Sequence, residues 1–69
     1  MSNEVAFFAY LLEKYAEYKN EHTAAILAKW EQSNLIEYIM QMYQMYHTER
    51  IENAFADIDG RMYHRKSIL

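Results

Sequence analysis

The side chains that could do chemistry in this 69-residue sequence are three histidines, ten carboxylates and a surplus of tyrosine. Their spacing narrows the options. His22, His47 and His64 are too far apart for a local metal pair, because none lies four residues from another on a helix face. The lone Gly60 excludes the glycine-rich phosphate loops, and the lack of cysteine excludes a thiol nucleophile, a thiolate metal site and any disulfide. Glu13, Glu17 and Glu21 recur at spacing four on one helical face. Acid–base work by such a pair would need burial and shifted pKa values, so a solvated acidic face that could dock a basic partner is preferred. Asp57 and Asp59, in ADIDG, offer too few oxygens for a calcium loop. Asp59 near a helix C-terminus opposes the helix dipole, which suggests a contact with Arg61, Arg65 or a partner's arginine. His47 lies at a helix junction beside Thr48. It could shuttle a proton or touch a partner, but capping of the preceding helix's last carbonyls is the favoured reading. No metal and no cofactor is expected, and the protein is predicted not to be an enzyme.

The elements that position these groups read as helices throughout. Asn34 to Arg50, NLIEYIMQMYQMYHTER, is apolar over most of its circumference. Leu35, Ile39, Met42 and Tyr46 make one stripe, Ile36, Met40 and Tyr43 another, with Tyr38 and Met45 further round. This stretch is expected to be central and covered on several sides. Before it, Ser2 or Asn3 can cap a helix to about Lys19, with Asn20 as a left-handed end. Its main stripe is Val5, Phe8, Ala9, Leu12, Tyr15 and Ala16, and its second is Phe7, Leu11 and Tyr18. Thr23 can cap a second helix to about Gln32 that carries Ile26, Leu27 and Trp30. Asn34 with Glu37 suggests a capping box for the third. Thr48 can cap a fourth, with Ile51, Ala54, Phe55, Ile58 and Met62 at helical spacing and Gly60 placed to end it. There is no run of alternating β-branched residues to suggest a strand.

The expected fold is therefore all-α, a compact bundle of three to four short helices. It comprises one domain over residues 1–60 and a basic tail over 61–69. A chain this short rarely gains more than about 3–5 kcal/mol from one core, and association is the supplement left when disulfides are absent. Tyrosine (seven residues) and methionine (five) are types enriched at protein interfaces. A candidate partner interface is placed at Tyr38, Met42, Met45, Tyr46, His47 and Arg50.

Charge argues in the same direction. Residues 1–60 hold all ten acidic groups against Lys14, Lys19, Lys29 and Arg50, a net of −6. Such a body repels phosphate, which disfavours general nucleic-acid binding. Ala24–Gln32 followed by Leu35–Tyr46 does outline a helix-turn-helix, but the second helix offers Gln41 and Gln44 with no basic residue for base edges. A small transcriptional regulator using this outline and the basic tail is the alternative reading. The apolar run Val5 to Leu12 is too short for a membrane span. With no signal peptide apparent, a cytoplasmic protein with no membrane association is expected.

FFAYLLEKYAEYKN (Phe7 to Asn20), LIEYI (Leu35 to Ile39), YQMYHTE (Tyr43 to Glu49) and ADID (Ala56 to Asp59) together resemble a family of small all-helical bacterial proteins of unknown function, common in Firmicutes. The likeness spans about residues 5–59. Tyr46 replaces the more usual leucine before His47-Thr48, and the segment after Gly60 departs from the pattern. Members of that family are often encoded beside predicted ADP-ribosyltransferase-like toxins, so the resemblance implies an antitoxin, immunity or accessory role. The combined expectation is a non-enzymatic protein-interaction module whose partner is another protein, itself, or both. A homo-oligomeric structural module of unknown role is a further alternative.

Overall fold

Ser2 has extended backbone and its side-chain oxygen accepts from the Val5 N–H at 3.2 Å, so the first helix begins at the cap the sequence offers. A cap of this kind is worth about 1 kcal/mol. The structure, a computed structural model, describes residues 2–67 and the side chains of residues 2–63. Helix α1 is Asn3–Lys19, α2 Thr23–Gln32, α3 Ile36–Gln41, α4 Tyr43–Tyr46 and α5 Ile51–Ser67. No strand occurs among the described residues, and the fold is all-α.

Two asparagines close the first two helices. Asn20 is left-handed at φ 58°, its N–H bonds the Glu17 carbonyl at 3.1 Å, and the next N–H, of Glu21, bonds the Ala16 carbonyl at 2.9 Å. Asn34 repeats the device at φ 59°, with Asn34 N–H on Glu31 at 3.1 Å and Leu35 N–H on Trp30 at 2.8 Å. This is the double-bonded Schellman ending, and the hydrophobic contact that accompanies it is supplied by the buried pair Trp30 and Leu35. Asn34 thus terminates α2 and does not open a capping box for the next helix. Thr23 is likewise not the cap of α2. His22 holds that position without a side-chain bond, because its carbonyl already accepts from Ala25 and Ile26.

The long central helix expected over Leu35–Tyr46 is broken. Met42 sits at φ −84° and ψ 6°, its N–H shared between the carbonyls of Tyr38 (3.0 Å) and Ile39 (3.1 Å). Leu35, Ile39 and Tyr46, the stripe expected at spacings of four and seven, all reach the core on both sides of the break, with Met42 partly buried against it. The break also shortens the second helix of the helix-turn-helix outline to Ile36–Gln41.

Thr48 does not cap α5. Its hydroxyl donates backwards to the carbonyls of Met45 (3.0 Å) and Gln44 (3.3 Å), and α5 starts at Ile51. Gly60 does not end α5 either. The helix continues through it to Ser67, because Met62 still packs on the core and Arg61 still pairs with Asp57 one turn back. The division expected after Gly60 therefore falls inside α5. The side chains of His64, Arg65 and Lys66, expected to make a basic tail, lie outside the described residues.

The core comprises Leu11, Tyr15 and Ala16 of α1, Ile26 and Trp30 of α2, Leu35, Ile39, Tyr46, and Ala54, Phe55 and Ile58 of α5. On α5 the predicted stripe is the observed one. On α1 it is not: Leu11 is fully buried, while Val5 and Tyr18 are about half exposed. Helix α1 contacts α2, α3 and α4, and its Tyr15 packs edge-on against Phe55 of α5, so the hub is α1 and not the third apolar stretch. Trp30 is enclosed by Phe8 and Tyr15 at ring separations of 5.7 and 5.4 Å. Its indole N–H finds no acceptor among the described residues, a local cost that burial of so large a ring outweighs. The radius of gyration, 11.6 Å, is close to the ~11 Å expected of a compact chain of this length. No described helix is long and apolar enough to cross a membrane.

Candidate functional site

Most of the tyrosine surplus is spent inside the molecule, on the two aspartates of ADIDG. Asp57 Oδ2 accepts the hydroxyls of Tyr38 at 2.7 Å and Tyr46 at 2.5 Å, one from each half of the broken helix. Arg61 approaches the other oxygen at 3.5 Å and lies over the Tyr38 ring, 3.7 Å from its centroid. Asp59 mirrors this on the opposite flank of α5. It accepts the hydroxyl of Tyr15, and that of Tyr18 at 3.3 Å, and pairs with Lys19 at 3.1 Å. The Lys19 ammonium faces the rings of Tyr18, Tyr63 and Tyr15 at 5.0, 5.5 and 5.7 Å. Between the two aspartates, Ile58 is fully buried. Each carboxylate thus receives two phenols and one cation, and together they fasten α5 to α1, α3 and α4.

The electrostatics follow from this geometry. Burial, then donation to Asp59, pushes the Tyr15 hydroxyl far above the ordinary phenol range, and burial with donation to Asp57 does the same for Tyr46. Tyr38 moves up for the same reasons, burial first and then its bond to Asp57. Partial burial would raise the Asp57 carboxyl, but the Tyr38 and Tyr46 hydroxyls and the Arg61 guanidinium outweigh it and hold the group below its usual value. Desolvation is also the largest influence on Lys19, yet the bond and charge of Asp59 overcome it and raise its pKa. These shifts favour the protonation states in which the bonds to Asp57 and Asp59 are made, with neutral Tyr15, Tyr38 and Tyr46, charged Lys19 and ionised Asp57.

The sequence-picked interface residues therefore separate. Tyr46 is buried and Tyr38 and Met42 are half-buried against the core. Met45, 54% exposed, His47 and Arg50 remain at the surface, with Arg50 near Glu52 at 3.5 Å. His47 caps α4 as expected: its Nδ1–H donates to the Tyr43 carbonyl at 2.6 Å. That bond flattens the imidazole onto the Tyr43 ring, at a centroid distance of 4.3 Å and an angle of 5°. Phe7 meets both rings edge-on, at 5.7 Å from Tyr43 and 6.4 Å from His47, and Tyr10 follows at 6.2 Å from Phe7. The result is a continuous strip of four rings across α1 and α4. Tyr10 is 49% exposed, and the hydroxyls of Tyr10 and Tyr43 make no hydrogen bond among the described residues. Sequence reasoning missed this strip, although the Tyr43-x-x-x-His47 spacing was a usable signal for stacking on one helix face.

The expected acidic face on α1 borders an open groove of about 530 Å³ lined by Glu13, Glu17, Asn20, Glu21, His22 and Thr23. Glu21 is engaged by Lys29 at 2.9 Å, and no metal-holding group of carboxylates and imidazoles occurs among the described residues.

A small all-α bundle with an acidic surface, internally bound tyrosines and one outward aromatic strip is what the geometry defines. The chain belongs to the family described as "Protein of unknown function (DUF3791)", whose model matches residues 6–65. That match crosses Gly60 and takes in most of α5. No curated protein and no solved structure is significantly similar to the chain.

Proposed function

We propose that this protein is a non-enzymatic protein-interaction module, in its most concrete form the antitoxin-like or accessory partner of a toxin encoded beside it. The observation that carries the reading is the aromatic strip of Tyr10, Phe7, Tyr43 and His47, in which Tyr10 and His47 are exposed, Tyr43 is half-buried and Phe7 packs partly against the core. Four other tyrosine hydroxyls are bonded to Asp57 and Asp59, whereas those of Tyr10 and Tyr43 find no partner among the described residues, and Tyr10 is 49% exposed. Tyrosine is enriched among the few residues that carry most binding energy at protein interfaces, and methionine is enriched in interface composition. The link to a toxin rests on the resemblance described above and on the benefit an acidic inhibitor gains against a cationic nucleotide pocket. A cytoplasmic setting agrees with it.

The test is a tagged pull-down from the native host followed by native mass spectrometry of the eluate. A stoichiometric second protein supports the module and names its target. Recovery of the chain alone as a monomer overturns the reading. Recovery as a dimer or larger, with a concentration-dependent melting temperature, transfers the strip to a self-interface.

A further inference from the structure

Every cationic side chain among residues 2–63 already pairs with one of the chain's own carboxylates: Lys14, which also lies 5.8 Å from the Tyr10 ring centroid, with Glu17, Lys19 with Asp59, Lys29 with Glu21, Arg50 with Glu52 and Arg61 with Asp57. Five carboxylates are left with no such partner among those residues: Glu4, Glu13, Glu31, Glu37 and Glu49. Two of them, Glu4 and Glu13, flank the α1 part of the aromatic strip, and a third, Glu49, lies in the turn that follows His47. Glu4 precedes Phe7 by three residues and Glu13 follows Tyr10 by three, spacings that make helix neighbours of each pair on α1. Glu49 follows His47 by two residues, in the turn before α5.

We propose that this strip is the docking surface for an arginine-bearing amphipathic segment of a partner protein. The inference rests on the interaction-module reading and adds the surface and the partner's chemistry. The exposed Tyr10 and His47 rings, with unpaired Glu4 and Glu13 close by on α1, suit guanidinium groups, which stack on rings while donating hydrogen bonds from their edges to carboxylates. The outward hydroxyls of Tyr10 and Tyr43 provide acceptors for the same donors. A second copy of this chain fits the surface poorly. It would bring like charge to like charge, with a formal net charge of −3 on each chain.

The test is a backbone amide NMR titration of the full chain with two synthetic peptides. One is a short leucine-based amphipathic helix with arginine at its polar positions, and the other carries glutamate at those positions. The arginine peptide is expected to shift residues 7, 10, 43 and 47 saturably, and the glutamate peptide to leave them unmoved. Tyr10→Ser with Tyr43→Ser is expected to weaken binding by about fivefold or more, the loss typical of interface anchors. Circular dichroism melts check that the double variant folds; should it not, Glu13→Lys and Glu49→Lys carry the test, with the same loss expected. Shifts centred on the Glu17–Glu21 groove, equal binding of both peptides, or affinity unchanged in the folded variants would overturn the proposal. A host partner captured equally well by wild type and the double variant sinks this surface while leaving the module reading intact. A monomer with no host partner sinks the module reading itself.

Discussion

Tyr15 donates its hydroxyl to Asp59 across 44 positions of sequence, joining the middle of α1 to the middle of α5. Hydrogen bonds to ionised acceptors contribute about 1.5–3 kcal/mol net, a large share of what a chain of this size has to spare. Tyr15→Phe should therefore lower stability by about 2 kcal/mol in urea titrations. A double-mutant cycle with Asp59→Asn should show strong coupling, and additive losses would show that the bond contributes little.

Stability should form a plateau with two falling limbs. Asp57 titrates below its unfolded value, so its contribution is present above pH ~4 and is lost as pH falls through the folded value. Tyr15 and Tyr46 titrate above theirs, so their contributions are complete below pH ~10 and are lost as pH rises further. Urea midpoints measured across pH should fall at both ends, and Tyr46→Phe should flatten the alkaline limb. An alkaline limb unchanged by that substitution would contradict the assignment.

Gly60 lies inside α5 without positive φ, and a Cβ added there would meet nothing within 4 Å. Glycine in a helix interior is about 0.5–1 kcal/mol worse than alanine. Gly60→Ala should raise the thermal midpoint by several degrees. A lower midpoint would mean that α5 does not continue through this position in solution.

Asn34 is held at φ 59°, where a residue with an ordinary Cβ is strained by about 1–2 kcal/mol. Asn34→Ala should destabilise by roughly that amount, and Asn34→Gly should be neutral or better. Equal melting curves for the two variants would argue against the left-handed turn.

How far the sequence disclosed this arrangement depended on which interactions are local. The α5 stripe of Ala54, Phe55 and Ile58 and the caps at Ser2 and Asn20 were legible, because each is fixed within one or two helical turns. The break at Met42 was not, since the apolar pattern runs through it and only packing against α1 and α5 decides where the chain bends. Asp59 reads from sequence as a misfit at a helix end, an end that Gly60 does not make. The use of four distant tyrosines to satisfy Asp57 and Asp59 is a tertiary fact no spacing reveals. The burial of Tyr46, expected at a partner interface, follows from the same tertiary contact. The Tyr43 and His47 pair was within reach, because its contact is four residues long.

Asp57 and Asp59 stand two residues apart on α5, about 200° around the helix, with buried Ile58 between them. The stripe of Ile51, Ala54, Phe55, Ile58 and Met62 decides which face of α5 turns inward, and packing alone leaves small rotations about that setting. The two carboxylates narrow it further, since a turn of one residue in either direction would carry both from their phenols at once. They act as a key that admits α5 in a single rotational setting, so the tyrosines give this small bundle uniqueness as well as strength. With both carboxylates neutralised, the helix content should largely survive while the side-chain NMR spectrum broadens, leaving a collapsed chain that has lost its one orientation.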